Sequence, residues 1–485
     1  MITVSLQWIA AAVDGELQGE HCTINSVSTD TRSLPPGCLF IALKGPHFDA
    51  HDFVADAIDQ GAAAIMVERA IDNDTRRGVA QIIVPNTRHA LGQLGAAVKA
   101  QVAPKTIAIT GSSGKTTVKE MLAAILKTRG DVLATRGNFN NDIGCPLTLL
   151  RLEPQHEFAV IELGANHPGE IAYTTRLTMP DVAIINNVAP AHVEGFGSVH
   201  GVFRAKTEIF RGLGPDGIAL TPAHSEFADC WQQELADRKH FTFGRESTTH
   251  HPDISASAVE LDDQGCASFT VTIPAALVTS GSATQQSARV QLSLPGLHNV
   301  DNALVAIAAG LAVGCALSDA ATALSQLTPV SGRLNVMTLS PQLRLIDDTY
   351  NANVGSVKAA LDTLAAYPGF RLMILGDMGE LGAQARQYHE EVGAYAIQAG
   401  IDNLYTLGVL SQSASDVFNG RGGRHFSQFE TLIEGIIQAV QHATAPVTIL
   451  AKGSRSAHME RVIDALKERR DELQPSLTEK GKHAC

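Results

Sequence analysis

Nearly continuous apolar runs recur along this chain, separated by polar or glycine-rich turns and by longer segments of helical periodicity. Thr106-Ile107-Ala108-Ile109, Phe158-Ala159-Val160-Ile161 and Val182-Ala183-Ile184-Ile185 are three of them. Continuous rather than alternating apolar character predicts parallel strands covered on both faces by helices. One helix is predicted from Lys115 to Lys127 and another from Gly201 to Leu213. From Ile254 to Leu294 the pattern is β throughout, with turns at Asp262-Asp263-Gln264-Gly265 and around Ser280-Gly281. That reads as an antiparallel excursion from the main sheet. The longest uncharged stretch, Asn302 to Ser318, is too short for a bilayer and rich in Ala and Gly, so a buried helix is expected there. Strands are predicted near 343–348, 370–376, 403–408 and 447–451, with helices at 356–367, 385–399, 429–441 and 457–470. This alternation predicts a doubly wound sheet. The charged tail from Lys467 is expected to fray.

The fold class expected is therefore α/β. At 485 residues, about three domains fit the length. We expect a small α/β N-terminal domain over 1–86, a central domain with a mostly parallel sheet over 87–328, and a doubly wound domain over 329–485. Thr328-Pro329-Val330-Ser331-Gly332-Arg333 marks the last boundary. A net charge of −13 argues against a nucleic-acid-binding surface, which needs a basic face. It does not exclude an anionic ligand held by a local nest of N–H groups, a lysine and a metal ion. The seven cysteines, at 22, 38, 145, 230, 266, 315 and 485, include no Cys-x-x-Cys pair. Neither a zinc site nor a disulfide framework is indicated, and reduced thiols in a cytoplasmic protein are expected. The start, Met-Ile-Thr-Val-Ser-Leu-Gln-Trp, lacks the basic and apolar regions of a leader peptide.

The most specific chemistry follows the first apolar run. Thr110-Gly111-Ser112-Ser113-Gly114-Lys115-Thr116-Thr117 places a glycine–serine turn between a strand and a helix. Glycines let backbone N–H groups approach an anion, and a helix N-terminus favours negative charge. Lys115 would reach the outer phosphates of a nucleotide, and the Thr116 hydroxyl would ligate Mg²⁺. Ile109 stands where the usual pattern has its first glycine, so this is a shortened phosphate loop.

Other polar groups gather where strands end, which is where open α/β sheets bind ligands. Glu162 and His192 are two. Taken singly they read as a capping carboxylate and a surface histidine; their shared position relative to the phosphate loop points to Mg²⁺ or a γ-phosphate. Lys206, near Glu208, reads alone as a solvated helix charge. In His298-Asn299-Val300-Asp301-Asn302, Asn299 reads as a helix cap or as a reader of an adenine edge. Two N-terminal segments, Ser28 to Arg32 and Cys38 to Gly45 with Lys44, read equally as a site for a charged nucleotide-like ligand or as a polar loop and an edge strand. No Gly-x-Gly-x-x-Gly is present, so no dinucleotide fingerprint supports the last domain.

Taken together, these motifs resemble those of the Mur ligase family over essentially the whole chain. The phosphate loop is shared across that family. Gly137-Asn-Phe-Asn-Asn-Asp-Ile-Gly144 and Tyr350-Asn-Ala-Asn353 are similar to the branch that joins D-Ala-D-Ala to a UDP-N-acetylmuramoyl-tripeptide. Glu162 to His167, Asn187 to Gly197, Asp347-Asp-Thr349, Gly376-Asp-Met-Gly-Glu-Leu-Gly382 and Lys452-Gly-Ser-Arg-Ser456 also carry the likeness. Val354 departs from it, standing where the family usually has proline.

The resemblance implies a central ATPase flanked by a uridine-nucleotide domain and a Rossmann-like domain. It implies that Gly111 to Thr117 bind ATP, that Thr116, Glu162, His192 and Lys206 serve two Mg²⁺ ions, and that Lys206 is carbamylated. It places Asn299 against adenine, and Arg333 and Asp348 against the γ-phosphate and ribose. Ser28, Arg32 and Lys44 fall in its UDP-sugar region, and Asn138, Asn140, Asn141 and Asn166 on its tripeptide side. Tyr350 and Asn351 would complete the peptide site with amide and phenol groups. The implied catalytic set is Lys115, Glu162, His192, Lys206 and Arg333. The implied reaction activates a carboxylate as an acyl phosphate, which an amine then attacks, in a monomeric cytoplasmic enzyme of peptidoglycan synthesis whose third domain closes over the second. A sister ligase of the same superfamily, such as a folylpolyglutamate synthetase, is the alternative within the class. A nucleotide-switched binding module is the alternative outside it.

Overall fold

The computed structural model describes residues 1–191, 193–278 and 284–475. Three mixed or parallel sheets carry the chain, with a two-stranded ribbon, Val4–Ser5 with Thr23–Ile24, beside the first.

The first sheet has five strands, Leu39–Ile41 lying inside it between Val27–Ser28 and Ala64–Val67. All three residues of Leu39–Ile41 are buried, so the edge-strand alternative for Cys38 to Gly45 does not hold. Helix Thr87–Val102 then leaves this sheet and packs with the helices of the second.

The second sheet has nine strands. From Asp131–Ala134 at one edge through His156–Glu162, Lys105–Thr110, Val182–Ile185, Ile218–Pro222 and Lys239–Arg245 to Ile254–Leu261, neighbours are parallel. Cys266–Ile273 and Gln286–Pro295 then continue it antiparallel, as the β patterning predicts. The turn at 262–265 lies where expected, whereas Ser280-Gly281 falls outside the described residues. The three middle strands are buried along nearly their whole length, which accounts for their unbroken apolar character. Helices Lys115–Leu126 and His298–Ala312 cover one face in a shared core. The alanines of His298–Ala312 let that helix lie close to the sheet, and thirteen of its fifteen residues are buried.

The third sheet has six strands. Leu343–Asp348, Val447–Lys452, Phe370–Gly376, Asn403–Leu407 and Gly423–Phe426 are parallel in that spatial order, and Asn335–Ser340 adds an antiparallel edge. Sequence periodicity missed Asn335–Ser340, Gly423–Phe426 and helix Gln412–Val417 because each is short and has few buried residues. The last long helix starts at Glu460 rather than 457, because Arg455–Ala457 forms a separate 3₁₀ turn. Asn353 caps helix Val354–Ala365 in a reciprocal capping box with Ser356. Val354 is the first residue of that helix, the position at which proline fits well, and its side chain is buried in the domain core. Its departure from the family pattern therefore costs no backbone hydrogen bond.

Candidate active site

Three adjacent parallel strands end together. Lys105–Thr110 lies between His156–Glu162 and Val182–Ile185, with Ile109 opposite Glu162 and Thr110 opposite Ile185. The phosphate loop, the Glu162 carboxylate and Asn186-Asn187 thus emerge side by side. The chain leaves the central strand toward one side and crosses to the other between His156–Glu162 and Val182–Ile185, and this switch point opens a crevice. A cavity of about 680 Å³ fills it, closed from above by the third domain.

The loop is held rigidly from beneath. Ser112 N–H donates to Asn187 O at 3.1 Å, and Ser113 N–H donates to Asn187 Oδ1 at 2.9 Å. The Ser112 hydroxyl donates to Ala189 O and accepts from Ala189 N–H, each at 2.9 Å. These N–H groups point inward, so the donors left for an anion are those at Gly114 and the first turn of helix Lys115–Leu126. Gly114 adopts φ +76°, and a Cβ there would meet Asn186 Nδ2 at 2.4 Å and Asn302 Oδ1 at 2.7 Å. Glycine is needed at that point for space as well as for conformation.

Lys115 folds back over the loop, its Nζ donating to Gly111 O at 2.7 Å. Burial lowers its pKa; Glu162 opposes that shift and Arg333 adds to it. The Thr116 hydroxyl donates to Glu162 Oε2 at 3.1 Å and accepts from Arg333 Nη2 at 3.2 Å. Asn140 Nδ2 donates to the other Glu162 oxygen at 2.8 Å, and Glu162 N–H donates to Thr135 Oγ1 at 3.0 Å. Glu162 is thus fixed in direction by two side-chain donors and is 4% exposed.

Lys206 is not the solvated helix charge its isolated sequence context suggests. It lies on helix Val199–Thr207, is 3% exposed and faces the cavity. Its side-chain nitrogen has no hydrogen-bond or ion-pair partner among the described residues. Burial drives its pKa well below that of an ordinary lysine, and the positive charge of Lys115 adds to the shift. His192 falls outside the described residues.

Asn299, expected as a cap or an adenine contact, lines the cavity. Asn299 is neither cap nor free: it sits inside the first turn of its helix, donating to Pro295 O at 2.7 Å and accepting from Asn302 Nδ2 at 2.9 Å. Asn302 accepts in turn from Asn186 Nδ2, which also donates to Ser113 O at 3.0 Å. A buried amide chain therefore runs from Pro295 to the phosphate loop. Asn186 Oδ1 is left without a partner among the described residues. His298 lies half-buried beside this chain, and desolvation, with the positive charges of Lys452 and Arg245, pushes its pKa down to about 4.

The third domain contributes Arg333, Asp348, Tyr350, Asn351 and Asn353 to the cavity wall. Asn353 Nδ2 donates to Ser112 O at 2.9 Å, a second bond across the domain junction. Asp348 is committed within its own domain, accepting from Leu334 N–H at 3.2 Å and pairing with buried Lys452 at 2.5 Å. Its pKa is raised by burial, with Lys452 opposing, and each of its oxygens already accepts one hydrogen bond.

Among the expected peptide groups, Asn138, Asn140 and Asn166 line the cavity. Asn141 does not; its Oδ1 accepts from Gly144 N–H at 2.8 Å and starts helix Gly144–Leu149. Ser28, Arg32 and Lys44 lie apart, at or beyond the carboxyl ends of Val27–Ser28 and Leu39–Ile41. Arg32 is largely exposed and pairs with Asp30. Sequence reasoning singled out no role for Asn186, Asn302 or Lys452. The available signal was a polar residue directly after an apolar strand, or an amide one helical turn from Asn299. A second cavity of about 450 Å³ shares Asn351, Ala352, Asn353 and Arg455 with the first, and adds Glu380, Ser454, Ser456 and His458.

A shortened phosphate loop at a switch point, roofed by an arginine from a separate Rossmann-like domain, defines a three-domain nucleotide-dependent class. The chain belongs to the Mur ligase family and is an ATP-dependent ligase. Residues 109–310 match the Mur ligase middle domain, 332–455 the Mur ligase glutamate ligase domain, and 23–99 the Mur ligase family catalytic domain. The chain is 46% identical over 468 residues to the UDP-N-acetylmuramoyl-tripeptide–D-alanyl-D-alanine ligase of Escherichia coli K12, covering 96% of this chain and 99% of that one. The crystal structure of MurF from Acinetobacter baumannii is 38% identical with a TM-score of 0.88, covering 96% and 99% of the two chains. A MurF ligase from Thermotoga maritima in complex with ADP is 27% identical with a TM-score of 0.77, over 92% and 98%.

Lys115→Ala removes the cation that folds back over the phosphate loop, while the bonds of Ser112 and Ser113 to residues 187 and 189 remain. It should lower kcat about 10³-fold with an unchanged melting curve. Near-normal turnover would remove Lys115 from the chemistry.

Proposed function

We propose that this ligase joins D-Ala-D-Ala to a UDP-N-acetylmuramoyl-tripeptide at the expense of ATP, forming the pentapeptide precursor of peptidoglycan. The observation that carries the reading is the roofed phosphate-loop cavity, with Glu162 and Arg333 meeting at Thr116. Relatives that carry this activity in their names support the choice of substrates, with identity spanning nearly the whole chain.

The chemistry must bring a carboxylate against a polyphosphate. Lys115 and Arg333 supply positive charge where that repulsion is greatest. The carboxylate oxygen attacks the γ-phosphorus, ADP departs, and an acyl phosphate remains. The dipeptide amine then attacks the carbonyl carbon and phosphate leaves, carrying one carboxylate oxygen. Closure by the third domain keeps water from the acyl phosphate. The second cavity suits the amine acceptor, because Arg455, although it also faces Glu460, brings positive charge to the wall where a carboxylate would lie. Asn138, Asn140 and Asn166 suit the peptide of the donor substrate, and the first domain suits its uridine nucleotide near Ser28 and Lys44. On this reading the domains divide at about 86 and 328, and the protein works as a cytoplasmic monomer. No helix among the described residues is long and apolar enough to cross a membrane.

The donor set also fits Mg²⁺. Among the described residues no three His, Cys, Asp or Glu side chains cluster to hold a metal. Thr116 and Glu162 nevertheless offer two oxygens beside the phosphate position, and Mg²⁺ commonly takes few protein ligands, completing its shell with phosphate oxygens and water. Bound there, Mg²⁺ would neutralise charge developing on the transferring phosphoryl group. A buried ammonium at Lys206 would oppose it. Lys206 held as a neutral amine is instead the form that takes up CO₂, and its carbamate would add an anionic oxygen pair. His192 belongs to the same proposed set.

Two measurements test this. ADP release should require both the UDP-N-acetylmuramoyl-tripeptide and D-Ala-D-Ala. Faster product formation with L-alanine, D-glutamate or L-glutamate would favour a sister ligase, and an ATPase rate indifferent to any acceptor would leave a nucleotide switch. Separately, Lys206→Ala should lose most activity and regain part of it with added formate or acetate. Because the lowered pKa keeps the wild-type amine neutral to lower pH, bicarbonate should reactivate CO₂-depleted enzyme at pH values where an ordinary lysine would be almost wholly protonated. Full activity of the mutant without rescue contradicts the carbamate.

A further inference from the structure

We propose that Tyr350 is a positioning residue for Arg333, its ring holding the guanidinium in line with Thr116; the inference rests on the phosphate role given to Arg333 above. The backbone on both sides of Arg333 is clamped. Gly332 N–H donates to Asp347 Oδ2 at 3.0 Å, and Leu334 N–H donates to Asp348 Oδ1 at 3.2 Å. Tyr350 N–H closes the clamp on Gly332 O at 3.1 Å. Gly332 has φ +73°, and a Cβ there would meet both the backbone N and the Cβ of Tyr350 at 3.2 Å. Glycine thus allows the tyrosine to come this close.

A clamped backbone still leaves a long side chain with several free torsions, and ordering them costs entropy. The Tyr350 ring removes that freedom. Arg333 Cζ lies 4.2 Å from the ring centroid, well inside the range of a cation–π contact. The only hydrogen bond Arg333's side chain makes among the described residues is the one to Thr116 Oγ1. It forms no ion pair with a carboxylate among them, although Glu162 is bonded to the same hydroxyl. An unstacked guanidinium would be free to turn onto Glu162, which would neutralise two groups the reaction needs apart. Stacking therefore keeps the charge available for phosphate.

The ring rather than the phenol carries this function. Among the described residues the Tyr350 hydroxyl makes no hydrogen bond. Arg455 also approaches the ring, at 5.9 Å, but it is exposed and paired with Glu460 at 3.3 Å. Arg333 is the one held without a counter-charge.

The test is a double-mutant cycle on the full-length enzyme, with kcat and KM measured for ATP and for both other substrates. Y350L should lower kcat about 5- to 30-fold, with KM for ATP moving less than about threefold. Y350F should keep more than about half the turnover. In an R333A background, Y350L should cost less than about twofold more. Additive losses from Y350L and R333A, or a Y350F as impaired as Y350L, would overturn the positioning role. A raised KM for the tripeptide in Y350F would instead make Tyr350 a substrate contact. A normal R333A would withdraw the phosphate role of Arg333 and the positioning with it, whereas the acceptor assay judges the ligase reading by itself. Should Y350L not fold, Y350M takes its place under the same criteria.

Discussion

One hydroxyl ties the machine together. Thr116 Oγ1 donates to Glu162 and accepts from Arg333, so a helix start, a strand end and a loop of the third domain meet at one atom. The hydroxyl lies in the first turn of the helix that opens the phosphate loop, which makes it the natural meeting point of strand end, loop and roof. With Asn353 bonded to Ser112 O, the third domain touches the phosphate loop at two places. A closed arrangement is thus built from side chains that themselves face the nucleotide position. Binding and closure are coupled by construction, because whatever occupies the loop competes for or reinforces the same contacts.

The rest of the architecture keeps that node in place. The loop is bonded downward to residues 187 and 189, so its shape does not wait for a ligand. Buried amides link Asn299 to Asn302, Asn186 and Ser113, a rigid path from the start of helix His298–Ala312 to the phosphate loop. In the third domain the Asp348–Lys452 pair is buried, a costly arrangement unless both charges are hydrogen-bonded. Here Asp348 accepts a backbone N–H and Lys452 also donates to Asn351 O at 2.9 Å, so the pair orders both the Arg333 segment and the Asn351 segment. Preorganisation of this kind reduces what must be ordered when substrate arrives.

Much of this was legible in the sequence, for identifiable reasons. The apolar runs at 106–109, 158–161 and 182–185 belong to strands buried on both faces, so pattern and placement agree. The glycine–lysine–threonine turn was legible because its spacing carries its own mechanism. What was not legible involves contacts between distant segments. Nothing local marks Lys206 as buried and unpaired, or Asp348 as consumed by Lys452, 104 positions later. Asn141 looks equivalent to Asn140 in the sequence, yet one is exposed and bonded to Gly144 N–H at the start of a helix, and the other points at Glu162. Short half-buried strands such as Asn335–Ser340 lack the apolar signal that revealed the others.

The central claim is that this closed cavity activates a carboxylate by phosphorylating it. The direct measurement is transfer of oxygen from that carboxylate. UDP-N-acetylmuramoyl-tripeptide labelled with ¹⁸O in its reacting carboxyl group is turned over with ATP and D-Ala-D-Ala, and the inorganic phosphate is analysed by mass. An acyl-phosphate route requires one labelled oxygen per phosphate released. Phosphate free of label, formed at the same rate as the peptide product, would contradict the account.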